Sequence, residues 1–213
     1  MTEPALIGER FSTAIRRLPL VAILRGLRPV EAVEVGRALV DAGWSLLEVP
    51  LNSPEPLESI EALVQAFPQA LVGAGTVLAP AVVRDVYAAG GRMIVAPNFN
   101  PGVVSESVRL GMACLPGVLS ASEAFAALDA GAAALKLFPA EMIPPAAVKA
   151  LRAVLGPGTL VLPVGGIGLE HIAAYRSAGA DGFGIGSSLY RPGMDAATVG
   201  ENARRWAAAF RAL

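Results

Sequence analysis

The chain has 213 residues, of which 54% are hydrophobic, and its 17 lysines and arginines against 18 aspartates and glutamates leave a net charge of −1. This composition excludes a largely disordered chain, because disorder requires few apolar residues and many charges. The near-neutral balance, without any block of like charge, also argues against nucleic acid or an anionic membrane as a partner. We therefore expect one globular domain over residues 1–213.

The N-terminal segment and the rarest residue types exclude further classes of protein. No basic region followed by an apolar core opens the chain, so we expect no secretory signal and a cytoplasmic protein. Apolar stretches end before the roughly 20 residues that a membrane-spanning helix needs. Cys114 and His171 are the single cysteine and the single histidine. We interpret Cys114 as a core residue and His171 as a capping or solvent-facing residue, and we predict no metal and no cofactor.

In chain order, the sequence alternates between predicted helices and predicted strands. A helix over about Pro4–Arg17, within a capping segment of residues 1–19, precedes the first strand. Apolar, β-branched runs then predict eight strands, whose starts lie 20 to 26 residues apart. These runs are Val21–Gly26, Leu46–Asn52, Leu71–Val77, Met93–Asn98, Cys114–Leu119, Ala134–Ala140, Leu160–Ile167 and Gly182–Leu189. Helical periodicity follows the strands, and an Ala-Gly pair closes four helices, at residues 42–43, 89–90, 130–131 and 178–179.

Eight strand-helix units with near-continuous apolar strands predict a parallel sheet covered by helices. Eight is the number of strands that closes into a (β/α)8 barrel, so we predict a TIM barrel with an extra N-terminal helix. An open doubly wound sheet is the alternative. A dinucleotide-binding version of it is disfavoured because Gly73-Ala74-Gly75 lacks the third glycine of the phosphate-binding turn.

Two of the predicted strands carry an ionisable residue inside an apolar run. Glu48 lies in the second strand and Lys136 in the sixth, where alternation turns Leu135 and Leu137 toward the helices and Lys136 toward the barrel mouth. Burial of a lysine lowers its pKa, and a neutral lysine is a nucleophile toward carbonyl groups. Glu48 is then a candidate proton shuttle for Schiff-base formation and for C–C bond cleavage.

A buried salt bridge between Lys136 and Glu48 is the structural alternative, although such a pair contributes little net stability. The presence of lysine rather than arginine at position 136 favours a catalytic role. Lys136 and Lys149 are the only lysines among the 17 basic residues, and arginine cannot form an imine. Lys149 lies on a predicted amphipathic helix, and we interpret it as a surface charge.

The loops after the seventh and eighth strands have the composition of a phosphate site. Gly165 and Gly166 follow the seventh strand, and Ser187 and Ser188 follow the eighth. Glycines expose backbone N–H groups, serines add hydroxyl donors, and these two loops often hold phosphate in barrels of this kind. The alternative is that the glycines only permit tight turns.

Smaller signals complete the predicted site. Arg25, Asn52, Thr76 and Asn98 lie at strand ends, where each could hydrogen-bond a carboxylate or hydroxyl group or merely form a turn. Phe138 and Pro139 follow Lys136 and could form an apolar wall that keeps the lysine dry.

Motifs that follow one another in order resemble those of the class I 2-keto-3-deoxy-6-phospho-sugar-acid aldolases. The resemblance covers about residues 20–192, and its most specific parts are the lysine strand Ala134–Pro139 and the glutamate strand Leu47–Pro54. The other motifs are Val21–Gly26, Gly73–Val77, Ile94–Asn98, Pro116-Gly117, Val164–Ile167 and Gly184–Tyr190.

This resemblance implies a mechanism in which Lys136 forms a Schiff base with the C2 ketone and Glu48 moves protons. The products are then pyruvate and D-glyceraldehyde 3-phosphate. Thr76 and Arg25 are expected to hold the pyruvate carboxylate. The phosphate is expected at the glycine and serine loops, with Pro97 and Phe138 among the other substrate-binding residues. The resemblance also implies a homotrimer.

The strand motifs also indicate which substrate is cleaved, because the gluconate and galactonate forms of the phosphorylated sugar acid differ only in configuration at C4. The gluconate-type branch of the family carries arginine in its second-strand motif and threonine before the double glycine. This chain has Asn52 and Val164 at these positions and so resembles the galactonate branch. The gluconate epimer is the alternative substrate. Two alternatives are more distant. One is an isomerase or synthase on a phosphate-binding barrel. The other is a barrel that binds a phosphorylated metabolite without turnover.

Overall fold

A computed structural model describes residues 3–213, with side chains from Ile7 onward. The helices are α1 Glu3–Arg17, α2 Pro29–Asp41, α3 Pro56–Ala66, α4 Pro80–Ala88, α5 Pro101–Arg109, α6 Ala121–Asp129, α7 Pro145–Arg152, α8 Ile172–Ser177 and α9 Ala196–Arg211. The strands are β1 Leu20–Ile23, β2 Leu46–Pro50, β3 Leu71–Gly75, β4 Met93–Val95, β5 Ala113–Leu115, β6 Gly117–Val118, β7 Leu135–Leu137, β8 Val161–Pro163 and β9 Phe183–Ile185. Short 3-10 turns cover Ala140–Met142 and Leu169–His171. Within residues 3–213, no helix is both long and apolar enough to cross a membrane.

The strands form two parallel sheets in an α/β arrangement, as the alternation of elements predicted. One sheet has the strand order β5-β4-β3-β2-β1-β9, and the other has the order β6-β7-β8. All the strand pairs in both sheets are parallel. An isolated parallel bridge between Val164 and Gly184 links the end of β8 to β9.

The predicted strand Cys114–Leu119 is divided into β5 and β6 at Pro116. Proline has no backbone N–H and cannot donate to a neighbouring strand, so the ladder is interrupted there. The carbonyl of Pro116 still accepts a hydrogen bond of 3.0 Å from the backbone N–H of Lys136. The other predicted strands are shortened at their carboxyl ends, where the chain turns away from the sheet into the loops of the site.

Helix boundaries follow the sequence signals closely. Proline stands at the start of α2, α3, α4, α5 and α7, where its missing N–H costs no intrahelical hydrogen bond. The glycines of the four predicted Ala-Gly pairs all have positive φ, for example 91° at Gly43 and 96° at Gly131. Side chains rarely adopt this conformation, so glycine ends each helix and lets the next strand begin.

Alternation along the strands separates an inner apolar cluster from an outer one. On β2, Leu46 lies in the inner cluster, whereas Leu47 and Val49 lie in the outer cluster with the helices. Inner positions at the start of the strands pack against one face of α1, formed by Ile7, Phe11, Ala14 and Ile15. This helix belongs to the predicted capping segment 1–19, of which Met1 and Thr2 lie outside the described residues. It covers the amino ends of the strands and leaves their carboxyl ends for the site.

Candidate active site

A cavity of about 670 Å³ opens at the carboxyl ends of the strands, opposite α1. Its lining contains twelve of the candidate site residues named from the sequence and lacks two, Asn98 and Pro139. The twelve are Arg25, Glu48, Asn52, Thr76, Pro97, Lys136, Phe138, Val164, Gly165, Gly166, Ser187 and Ser188. Parallel strands deliver their carboxyl ends to one side of a sheet, so residues that are far apart in sequence meet there.

Lys136 on β7 and Glu48 on β2 are both buried, with relative exposures of 7% and 2%. They belong to different sheets, and both line the main cavity and a much smaller void beneath it. Leu135 and Leu137 lie in the outer cluster. This confirms the alternation that turns Lys136 inward.

Burial shifts the pKa values of Glu48 and Lys136 toward each other. Desolvation raises the pKa of Glu48 to about 7, although the nearby charges of Lys136 and Arg25 act to lower it. Desolvation lowers the pKa of Lys136, and Arg25 lowers it further, while Glu48 acts in the opposite direction. Glu48 Oε2 is buried and has no hydrogen-bond partner among the described residues. Glu48 can therefore exchange protons with a bound molecule near neutral pH.

An aromatic ring covers one side of the lysine. The Nζ atom of Lys136 lies 4.6 Å from the centre of the Phe138 ring. Such a contact stabilises the ammonium form and excludes water from it. Phe138 thus stands where an apolar wall was predicted, but Pro139 does not line the cavity.

Arg25 and Asn52 lie at the exposed rim of the cavity and are directly bonded. Arg25 Nη1 donates a hydrogen bond of 2.6 Å to Asn52 Oδ1. The amide of Asn52 thus orients the guanidinium without neutralising its charge. Thr76 has a φ of 60°, which is unusual for a β-branched residue. Asn98 does not line the cavity, unlike its neighbour Pro97.

The glycine and serine loops present unused hydrogen-bond donors to the cavity. Gly165 and Gly166 both have positive φ, at 109° and 57°. The backbone N–H groups of Gly166, Ser187 and Ser188 donate no hydrogen bond within the described part of the chain, whereas that of Gly165 lies on the side of the chain that pairs with Gly184. The hydroxyl of Ser188 donates to the carbonyl of Ile167 at 3.4 Å. Several donors gathered in one place are suited to an anion.

Sequence reasoning missed several residues of the cavity wall. Glu170, Tyr190 and Arg191 line the cavity, and none of them interrupts a strand, which was the signal used to find the site. Arg191 nevertheless stands only four positions after Ser187, on the same loop. A search of the residues that directly follow the predicted phosphate loop would have identified Arg191.

Cys114, His171 and Lys149 lie outside the cavity and have the structural roles predicted for them. Cys114 is buried in the outer cluster, and burial raises the pKa of its thiol to about 12, so the thiol stays protonated and unreactive. His171 Nδ1 accepts a hydrogen bond of 2.9 Å from the backbone N–H of Gly168, which is a capping contact. Lys149 is exposed on α7. Within residues 7–213, no three His, Cys, Asp or Glu side chains gather into a metal-binding cluster.

Gly75 makes room for the carboxylate of Glu48. A methyl group at Gly75 would lie 1.9 Å from Glu48 Oε2 and 2.4 Å from its carboxyl carbon. Real carbon atoms never approach an oxygen so closely without displacement. The second glycine of Gly73-Ala74-Gly75 therefore positions the buried carboxylate, a role that the sequence alone did not indicate.

Gly75→Ala is expected to lower the free energy of unfolding by about 1–3 kcal/mol through overpacking against Glu48. Denaturant titration measures this cost, which should largely disappear in a Glu48→Ala background because the obstructing carboxylate is gone. Gly8→Ala is the matched control, since a methyl group at Gly8 meets no atom within 4 Å. An equal cost of Gly75→Ala in both backgrounds would contradict the contact with Glu48.

Comparisons with known proteins agree on one family. The sequence profile of the family described as "Aldolase: KDPG and KHG aldolase" matches residues 11–200. A protein of Rhizobium meliloti (strain 1021) named "Probable 2-dehydro-3-deoxy-6-phosphogalactonate aldolase" is 47% identical over 92% of this chain and 92% of its own. The 2-dehydro-3-deoxy-6-phosphogalactonate aldolase of Escherichia coli (strain K12) is 44% identical over 92% of this chain and 96% of its own.

Solved structures lead to the same family. The structure described as "Native KDPGal structure" superposes with a TM-score of 0.90 at 44% sequence identity, covering 92% of this chain and 96% of that one. The family match over residues 11–200 includes the strands that carry Lys136 and Glu48 as well as the glycine and serine loops. On the evidence of its sequence, its fold and its relatives, the chain belongs to the KDPG and KHG aldolase family.

Proposed function

We propose that the protein is a class I aldolase that cleaves 2-dehydro-3-deoxy-6-phospho-D-galactonate to pyruvate and D-glyceraldehyde 3-phosphate. The observation that carries this proposal is a buried lysine with a lowered pKa that shares a cavity with a buried glutamate. Lysine in this state attacks ketones, and glutamate with a pKa of about 7 can both accept and return a proton.

The reaction begins at Lys136. Its neutral amine adds to the C2 carbonyl of the substrate and gives a carbinolamine. Loss of the C2 hydroxyl as water, with a proton supplied by Glu48, leaves a protonated imine. This positively charged imine attracts electrons from the adjacent C3–C4 bond. Phe138 shields the site from bulk water and tolerates the positive charge over its ring.

Glu48, ionised again, then acts as the base for bond cleavage. It accepts the proton of the C4 hydroxyl, the C3–C4 electron pair moves toward the imine, and D-glyceraldehyde 3-phosphate leaves with its new aldehyde at C4. The enamine that stays on Lys136 takes a proton at C3. Hydrolysis of the resulting imine releases pyruvate and restores the free lysine. Atoms and electrons balance without a cofactor or a metal.

The two ends of the cavity suit the two ends of the substrate. Arg25 and Thr76 are proposed to bind the carboxylate at C1, with Asn52 holding the guanidinium of Arg25 in place. The phosphate is proposed to bind at Gly165, Gly166, Ser187 and Ser188, and the backbone N–H groups of the last three donate no hydrogen bond within the described residues. Pro97, Phe138 and Val164 are proposed to contact the carbon chain between them. A cavity of about 670 Å³ lies within the usual range of ligand sites, about 300–1,000 Å³.

In this proposal the two sheets form one closed (β/α)8 barrel, within a single domain over residues 1–213. Two features support closure. Only Pro116 separates β5 of the larger sheet from β6 of the smaller one. The two strands therefore follow each other directly and connect the two sheets. At the other seam, Val164 pairs with Gly184 between β8 and β9. Hydrogen-exchange protection of the backbone N–H groups at both seams would test the closure.

Preference for the galactonate epimer is supported by Val164 and by the identities to relatives of that name. Val164 lines the cavity and is itself buried. Its apolar side chain cannot hydrogen-bond a hydroxyl group, whereas threonine of the same shape could. The two substrates differ only in the direction of the C4 hydroxyl, so a single such group beside C4 is able to distinguish them.

A homotrimer in the cytoplasm completes the proposal. Several large apolar side chains are exposed, among them Leu78 after β3, Leu119 after β6, Phe125 on α6 and Met142 after β7. Apolar side chains that are exposed in the single chain can be buried between copies of it, and this supports an oligomer. Sedimentation velocity would distinguish a trimer from a monomer.

Borohydride reduction in the presence of pyruvate is expected to attach pyruvate to Lys136, and peptide mass spectrometry locates the modified residue. Lys136→Ala should abolish both the adduct and turnover while the chain still folds. Lys149→Ala is the matched control and should leave both unchanged, because Lys149 is exposed on α7. No adduct, or an adduct on Lys149 alone, would overturn the Schiff-base mechanism and favour a barrel that binds its ligand without covalent chemistry.

The pH dependence of cleavage is expected to report Glu48. In the active form the pair holds one proton, so that the amine of Lys136 is neutral and Glu48 can donate. Below pH about 7, the pKa of Glu48, the pair holds a second proton and the amine is charged, so kcat/KM should fall about tenfold per unit. Glu48→Gln should slow turnover by about 100- to 10,000-fold. Initial rates across pH 5–9 measure both effects. An unchanged rate in Glu48→Gln would remove Glu48 from the proton transfers.

Comparison of the two C4 epimers tests the substrate. We expect kcat/KM for the galactonate epimer to exceed that for the gluconate epimer by about tenfold or more, and Val164→Thr to narrow the difference. Coupled assays of D-glyceraldehyde 3-phosphate release measure both substrates under the same conditions. If the unchanged protein cleaves the gluconate epimer faster, the proposed substrate is wrong, but the proposed aldolase activity still stands.

A further inference from the structure

Arg191 stands at the rim of the cavity, beside the serine loop. Its Nε donates a hydrogen bond of 2.8 Å to the backbone carbonyl of Ser187. Arg191, Ser187, Gly165 and Gly166 all line the same cavity. The hydrogen bond to Ser187 thus attaches a guanidinium to the loop on which free backbone N–H groups were found.

The charge of Arg191 is not neutralised by the protein. Of the residues that the structure describes, no carboxylate forms an ion pair with it, and its two terminal nitrogens donate no hydrogen bond. The other cations of the cavity lie elsewhere, since Lys136 faces Phe138 and Arg25 is bonded to Asn52. Arg191 is therefore the cation available to the glycine and serine loops.

A cation beside these loops would strengthen their hold on a dianion. Their own donors are neutral backbone N–H and hydroxyl groups. Two carboxylates also lie close by. A methyl group at Gly165 or Gly166 would lie 2.6 or 2.7 Å from a carboxylate oxygen of Glu141, and one at Gly168 would lie 2.2 Å from Glu170. Their negative charges oppose a phosphate, and a guanidinium offsets them because it offers two parallel N–H donors to phosphate oxygens.

The segment that carries Arg191 is anchored on both sides. Before it, the buried Tyr190 donates a hydrogen bond of 2.9 Å to Glu31, which also forms a 3.0 Å ion pair with Arg28. After it, Pro192 packs closely on Gly26, where a methyl group would lie 2.5 Å from the proline ring. These contacts tie the segment to the loop and helix after β1. The backbone of Arg191 is consequently held in place before any ligand binds.

We propose that Arg191 binds the phosphate of the substrate and makes the enzyme selective for phosphorylated over unphosphorylated aldehydes. This inference rests on the proposed function and adds to it the residue that supplies positive charge at the phosphate end. Arg191 takes no part in imine chemistry, because Lys136 and Glu48 lie at the buried end of the cavity.

Condensation of pyruvate with D-glyceraldehyde 3-phosphate, and with D-glyceraldehyde as the unphosphorylated acceptor, tests the inference in the full-length protein. Arg191→Met is expected to raise KM for D-glyceraldehyde 3-phosphate about tenfold or more, since it removes a charge-assisted contact. Its rate with D-glyceraldehyde and its trapping of pyruvate by borohydride should match those of the unchanged protein. Arg191→Lys should recover part of the loss, because it keeps the charge but loses the paired donors.

Arg205→Met on the exposed face of α9 is the control for a general loss of positive charge. It should alter neither the KM for D-glyceraldehyde 3-phosphate nor the KM for D-glyceraldehyde. A KM for D-glyceraldehyde 3-phosphate within twofold of the unchanged protein in Arg191→Met would overturn the inference. So would an equal loss with both acceptors. If the unchanged protein neither traps pyruvate nor condenses it, the proposed function fails separately. Calorimetric titration with inorganic phosphate then still tests Arg191, whose substitution by methionine should weaken binding about tenfold.

Discussion

The burial of one lysine and one glutamate on the inner face of the sheets is the constraint on which the site depends. Moving either charge out of water is unfavourable, and an apolar core of similar volume would be at least as stable. The fold tolerates the pair because the two groups can share protons and because the cavity gives them an opening. Their perturbed pKa values follow from this position, so the cost in stability and the chemical reactivity have the same physical origin.

Stability and chemistry occupy opposite ends of the strands. At the amino ends, α1 packs its apolar face on the inner cluster and covers that end of the strands. At the carboxyl ends, the strands are short and the chain turns into loops that carry Arg25, Thr76, the double glycine and the serines. Loop residues can therefore differ between relatives without disturbing the packed end, which is the usual division in this class of fold.

The two ends of the cavity are also mechanically connected. The loop after β1 carries Arg25, and the helix that follows it supplies Glu31, which bonds to Tyr190 on the loop after β9. Gly26 and Pro192 pack together between them. The groups proposed for the carboxylate and for the phosphate are thus held at a set separation. A substrate of the right length gains both contacts without ordering either loop.

Much of this molecule follows from the sequence by itself. The strand and helix alternation, the Ala-Gly helix ends and the inward direction of Lys136 depend on local rules, namely the two-residue period of strands and the conformational freedom of glycine. Twelve residues predicted for the site lie in one cavity, since each stands within the carboxyl-terminal part of a predicted strand, directly after a strand, or on its inward face. Only the tertiary structure revealed the space that Gly75 leaves for Glu48, the hydrogen bond between Tyr190 and Glu31, and the packing of Pro192 on Gly26. These features depend on which distant atoms approach each other, and no local pattern of residues carries that information.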